Sequence, residues 1–342
     1  MKLHLHGVDM GTYFCGGGSY LHQGNVHYVL SILERASHQQ KLYPTTFLPH
    51  GIAFDPVNKN RLITTEKKGP GAVAITVSDA EASAQTFQAM PGHHFYGHCV
   101  FVQEGERLLT VESELATTEG AIAIRDSLSL DVIGLFPSFG DKPHDCVLTD
   151  DGKTLVVSNA GSKEKGSEGA ISFIDISTQT LVKQIKVPSP LVNAGHIALG
   201  GNGDIALVSA PNDALTEDQE GGVSLGRNDR LTFVSDHLVA GTALEGETLS
   251  VVISDKYQLA ITCTPRANRL CFWSLPTQSL IKAMKIDGPR GVALADEETA
   301  LVTYGANSAW VEIDLASLQL KSKTYFSPTY ITGSHLYEMP SA

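Results

Sequence analysis

An all-β chain folded as a single seven-bladed β-propeller of four-stranded blades is predicted by three observations. First, five stretches begin the same short apolar strand with a histidine: His50-Gly-Ile-Ala-Phe, His98-Cys-Val-Phe-Val, His144-Asp-Cys-Val-Leu, His196-Ile-Ala-Leu-Gly and His335-Leu-Tyr-Glu-Met. Second, the first four recur at a spacing of about 50 residues, a period that signals propeller blades. The last interval spans close to three such periods and holds two further starts, a weaker one at Thr248-Leu-Ser-Val-Val and Arg290-Gly-Val-Ala-Leu. Third, short apolar segments separated by polar and Gly-rich turns follow each start, as strands of one antiparallel blade require.

The elements can be placed in order. The N-terminal segment supplies three strands near Thr12-Tyr-Phe-Cys, residues 26–32 and Lys41-Leu-Tyr, but no inner strand. Inner strands then start near 50, 98, 144, 196, 248, 290 and 335. Second strands follow at Arg61-Leu-Ile-Thr-Thr-Glu66, residues 107–113, Thr154-Leu-Val-Val-Ser-Asn159, residues 259–264 and residues 300–305. Third strands open at Gly71, Gly120, Gly169, Arg269 and Ala309; fourth strands include residues 130–135 and 181–185. Hairpin turns sit at Asp150-Asp-Gly152 and Gly201-Asn-Gly203. The strand at His335 is left to complete the N-terminal blade, which closes the ring and removes free sheet edges. Residues 1–342 therefore read as one domain and one monomer.

Composition narrows the functional classes. The chain has 342 residues with 42% hydrophobic and 18% charged, a globular balance with length enough for a large core. A net charge of −12 argues against nucleic acid and anionic membranes as partners and suits a protein that handles cations. No apolar run approaches the length of a membrane-spanning helix. The N-terminus carries no apolar signal region, an expectation of a cytoplasmic protein or of a sequence lacking its export signal. Cys15, Cys99, Cys146, Cys263 and Cys271 show no CxxC spacing and read as small buried strand residues.

A histidine repeated at one phase of a propeller converges on the symmetry axis. His50, His98, His144, His196 and His335 are thus candidate metal ligands around the channel, of which a ring this wide lets three or four share one ion. The second strand ends beside the same channel mouth, where Glu66, Glu112, Asn159, Thr264 and Gly305 are phase-matched. Glu66 and Glu112 are candidate carboxylate ligands, and imidazole with carboxylate suits zinc or iron better than copper. Arg290 takes a histidine-equivalent place and would hold a small anion. Asn159 and His94 are further candidate ligand-binding residues, and His93 beside His94 could orient ligands. His4 and His6 near the terminus could bind metal loosely but are expected to dangle, and His22, His27, His38 and His237 carry no spacing argument. The acidic stretch 212–220 reads as an enlarged loop on the same face. No GxSxG, P-loop or HExxH occurs, although Asp145 beside His144, with Glu112, could serve as acid and base.

Several runs resemble the bacterial DUF1513 family: Pro49-His-Gly-Ile-Ala-Phe-Asp-Pro56, the specific Gly92-His-His-Phe-Tyr-Gly-His98, residues 118–126, Phe136-Pro-Ser, Pro143-His-Asp and residues 155–161. The resemblance covers nearly the whole chain and is densest from 49 to 161. It implies a propeller of the YVTN type, export to the periplasm, and a gene neighbourhood of imelysin-like and dihaem peroxidase-like proteins tied to iron uptake. By position, His50, His94, His98, His144, His196 and His335 match family histidines. The chain departs from the pattern at His93, Gly195 and Thr332-Gly-Ser. The expectation from residues and resemblance together is a non-enzymatic propeller binding iron or zinc in envelope metal acquisition. Two alternatives remain: a hydrolase or lyase acting on a small anionic metabolite, and a scaffold that docks an imelysin-like or haem protein.

Overall fold

A computed structural model describes residues 12–77, 82–216, 218–235, 243–322 and 324–340. His4, His6 and His237 lie outside the described residues. Seven four-stranded antiparallel sheets are arranged as the blades of a propeller, and the one helical element among the described residues is a short 3-10 turn, Gln103–Gly105. The inner strands are Pro49–Phe54, His93–Val102, Pro143–Leu148, Ile197–Leu199, Ser250–Ser254, Pro289–Asp296 and Tyr337–Glu338. The starts expected near 50, 98, 144, 196, 248, 290 and 335 all fall within these strands or at their entrances.

Burial explains why such strands form a ring. A strand such as Thr154–Asn159 is buried at nearly every position, whereas the outermost strand of the same blade, Thr180–Lys186, is mostly exposed. A middle strand presents alternate residues to the blade on each side. Apolar residues at both phases, as in Leu155-Val156-Val157, therefore feed two cores at once. Seven apolar clusters result, one between each pair of neighbouring blades. The cysteines are free and buried, and all five lie in strands.

The ring closes as the sequence predicts: Tyr337–Glu338 joins Tyr13–His22, Asn25–Glu34 and Gln40–Thr45 in one sheet. That inner strand is short, pairing Cys15 with Tyr337 and Phe14 with Glu338. The segment before it carries much of the closure. Gly333 N donates to Gly17 O at 2.9 Å, Ser19 N to Thr332 Oγ1 at 2.8 Å, and Ser31 Oγ to Thr329 O at 2.6 Å. This approach requires the bare backbone of Gly16 and Gly18. A Cβ on Gly18 would stand 1.7 Å from the carbonyl oxygen of Tyr330.

Gly18→Ala is therefore expected to push the closing segment off its seat. Overpacking of this kind costs about 1–3 kcal/mol or more. A urea titration would register it as a lower unfolding midpoint; an unchanged midpoint would mean the closing segment contributes little.

Candidate metal centre

Inner strands point toward the axis, but a regular strand would aim its side chains along the sheet faces. Bulges correct this. Between Pro49 and Ile52, Phe95 and Cys99, Pro143 and Cys146, and Pro289 and Val292, the inner strand carries more residues than its partner. His50, His98, His144 and Arg290 sit inside those irregular stretches, where a bulge bends the strand and re-aims a side chain. His196 and His335 occupy the same phase just ahead of their strands.

All five histidines are buried and meet on the axis. Ring centroids of His196 and His335 are 4.2 Å apart, those of His50 and His335 4.7 Å, and those of His98 and His335 4.9 Å. His50, His98, His196 and His335 each offer one donor atom to a set lying within 4.8 Å of one another. Each of these four also has one buried ring nitrogen with no hydrogen-bond partner: Nε2 of His50, His98 and His335, and Nδ1 of His196. An orphaned buried polar atom costs about 1–3 kcal/mol. That the four residues whose donors converge each carry such an atom marks a place built to be filled.

The remaining ring nitrogens help to define tautomers. Asp145, fixed by the backbone N–H groups of Cys146 at 2.8 Å and Ile197 at 2.9 Å, faces His98 Nδ1 at 3.1 Å. A carboxylate there accepts a hydrogen bond from Nδ1–H, which keeps the proton on Nδ1 and leaves the Nε2 lone pair bare. His144 and His196 share a proton between their Nε2 atoms at 3.0 Å. When His196 donates, its Nδ1 lone pair is the free one. His144 then stands one ring behind the set of four, orienting His196. The roles of Asp145 and of the His144–His196 bond were not visible in strand spacing. The adjacency of His144 and Asp145 was a signal, but one equally suited to acid–base work.

Space for His50 comes from Gly97. Its φ is +140°, and a Cβ on it would lie 2.3 Å from His50 Cδ2. Thr65 Oγ1 pins the Gly97 carbonyl at 2.7 Å.

The carboxylates read as ligands from sequence have other partners. Glu112 is fully buried against Arg125, with Nη2 at 2.7 Å, and also accepts from Thr110 Oγ1 and Met90 N. Glu66 accepts from Gly71 N at 3.0 Å and so holds the turn after its strand. The reason is pleat parity: the end of the second strand is near the mouth, but these side chains point into the blade. Asn159 joins Ser138 and Ser172 in the packing between blades, by bonds of 2.6 and 3.0 Å. His94 packs on Tyr96, and His93 faces the carbonyl of Pro91 at 3.1 Å. His27 stacks on Tyr20 with His22 alongside, and His38 rests on Phe326. Arg290 reaches the channel mouth.

Burial holds the histidines neutral. It is the main cause pushing His50, His144, His196 and His335 well below the usual 6.5, with mutual repulsion among the rings, and the Lys67 charge near all but His196, adding to it. His98 is lowered less, since Asp145 opposes burial. Neutral imidazoles keep the lone pairs that a metal needs. Burial likewise raises the Cys99 thiol to about 12, so it offers no thiolate.

A pH dependence follows. Below about pH 6.5 the unfolded chain binds protons at these histidines that the folded chain refuses, so stability falls as pH drops from there and is unaffected above it. Urea midpoints of metal-free protein should be flat above neutrality and decline toward about pH 5; a flat profile throughout would contradict the neutral cluster.

Known proteins give the fold context. A hydrazine synthase structure from Kuenenia stuttgartiensis superposes with a TM-score of 0.66 over 86% of this chain and 93% of that one. Identity is 11%, a likeness of fold alone. No curated protein matches the sequence significantly. The family described as "Protein of unknown function (DUF1513)" matches residues 46–327, from just ahead of His50 through the seventh blade, and the chain belongs to this family.

Proposed function

We propose that the protein is a non-enzymatic, transition-metal-binding propeller in which His50, His98, His196 and His335 hold one ion and His144 and Asp145 orient two of the ligands. The observation that carries this reading is that the four residues with convergent donors each also hold an orphaned buried nitrogen. Four neutral imidazoles suit zinc, which takes four nitrogen ligands at about 2.0–2.1 Å, and also iron. Donors within 4.8 Å must draw in slightly to reach such distances. The ion would share the axis with no carboxylate ligand, because Glu66 and Glu112 are engaged elsewhere. The setting proposed is iron or zinc acquisition in the bacterial envelope, by a monomeric protein.

Metal analysis by plasma mass spectrometry, on untagged protein purified without chelator and then titrated with Fe(II) and Zn(II), tests the reading. About one ion per chain is expected, lost in the His98→Ala/His335→Ala double variant while circular dichroism stays unchanged. Stoichiometric binding that survives the double substitution would sink the proposal.

Asp145→Asn removes the acceptor that sets the His98 tautomer. Loss of such an orienting carboxylate costs about 10- to 100-fold in metal affinity. Competition against a chromogenic chelator would measure it, and wild-type affinity in Asp145→Asn would reduce Asp145 to a packing residue.

A further inference from the structure

The histidine layer divides the channel. On one side is an apolar chamber of about 480 Å³, walled by inner-strand residues such as Phe54, Phe101 and Val252 and floored by His98, His196 and His335. On the other side is a mouth chamber of about 580 Å³ with His144 at its base. The loops predicted to open on this face line it, including the part of the acidic stretch at Asn212, Asp213 and Leu215. In a chain of net charge −12 this wall is cationic: Lys67, Lys68, Lys142, Arg266 and Arg290 face two carboxylates, Asp213 and Glu247.

Not all of that charge is spent. Lys142 pairs with Asp213, Lys67 lies 3.7 Å from Glu247, and Arg266 binds Glu245 at 2.7 Å. Lys68 and Arg290 differ. The Lys68 amine lies over the ring of Tyr96, 5.4 Å from its centroid, and the Arg290 guanidinium donates to the carbonyl of Gly333 at 3.3 Å. Among the described residues no carboxylate lies within ion-pair distance of either. Partial burial lowers the affinity of both for their proton and Lys67 adds repulsion at Lys68, while Glu247 opposes the shift at each from beyond ion-pair distance. Two cations without an ion-pair partner, the exposed Lys68 on the second blade and the half-buried Arg290 on the seventh, stand on one chamber wall. An anion reaching both supplies the contact partner each lacks, and a guanidinium is suited to a carboxylate fork.

We infer that the mouth chamber is a binding site for a small organic anion with two or three carboxylates, held between Arg290 and Lys68 above His144. The cations stand on different blades around a chamber whose volume falls in the range of small-molecule sites, which favours an anion with more than one carboxylate. The site stands independently of the metal reading, because neither cation touches the four histidines of the cluster.

Calorimetric titration of chelator-treated protein with tricarballylate, alongside inorganic phosphate and propionate, tests the inference. Tricarballylate is expected to bind, more weakly at high salt, with a Kd raised at least about tenfold in Arg290→Gln and in Lys68→Gln. Circular dichroism checks the fold, and Lys68→Gln, on a loop, decides the matter should Arg290→Gln unfold. Absence of heat with tricarballylate, phosphate or propionate binding as tightly, or a Kd indifferent to both substitutions would each overturn it. Since metal is absent throughout, failure here leaves the histidine site untouched, and failure of metal loading leaves this result standing.

Discussion

Each blade buries both of its faces, chiefly against the neighbouring blades of the same ring. Seven apolar interfaces have to be satisfied together, and the last of them exists only when the chain's end returns to its beginning. Burial of a large aliphatic side chain is worth about 1.5–3 kcal/mol, and each interface holds several. Closure is therefore the constraint on which the rest depends. The short pairing of Tyr337–Glu338 with Phe14 and Cys15 matters less for its few hydrogen bonds than for seating Leu336 and Ile331 against Phe14 and Trp310.

The histidine cluster is a consequence of that closure. His50 comes from the second blade, His98 from the third, His196 from just ahead of the inner strand of the fifth and His335 from just ahead of the closing strand of the first. Nothing local brings them together. The apolar interfaces fix the radius at which the inner strands stand, the bulges turn the side chains inward, and Gly97 leaves His50 the room it occupies. Rigid surroundings are also what lets four polar atoms remain unpaired: the rings cannot relax toward carbonyls or solvent without disturbing a closed circle of blades.

Electrostatics then separates the two ends of the channel. Lysines and arginines gather at the mouth, aliphatic and aromatic residues at the other end, and neutral imidazoles between them. The two ends differ because loops supply the first and inner-strand side chains the second. Buried Asp145 sits at the histidine layer, where its negative charge is met by two backbone N–H groups and by His98.

Strand-by-strand regularity was legible in the residues themselves: a period of about 50, apolar triplets at fixed phase, and a histidine or Arg290 at six of the seven inner starts are enough to specify blades and their order. The convergence of His50, His98, His196 and His335 was legible too, since it follows from repeat phase alone. The partners of Glu66, Glu112 and Asn159 were not, because parity at a strand's end decides whether a side chain enters the channel or the blade, and a single register shift reverses it. The separation of His144 from the other four, and its bond to His196, depended on where the bulges fall. Asp145 acquired its place beside His98 through a contact between neighbouring blades. The sequence by itself determined the repeat, the ring and the residue types brought to the axis; tertiary structure alone decided which ring nitrogens are left bare, because that rests on hydrogen bonds between segments about 50 residues apart in the chain.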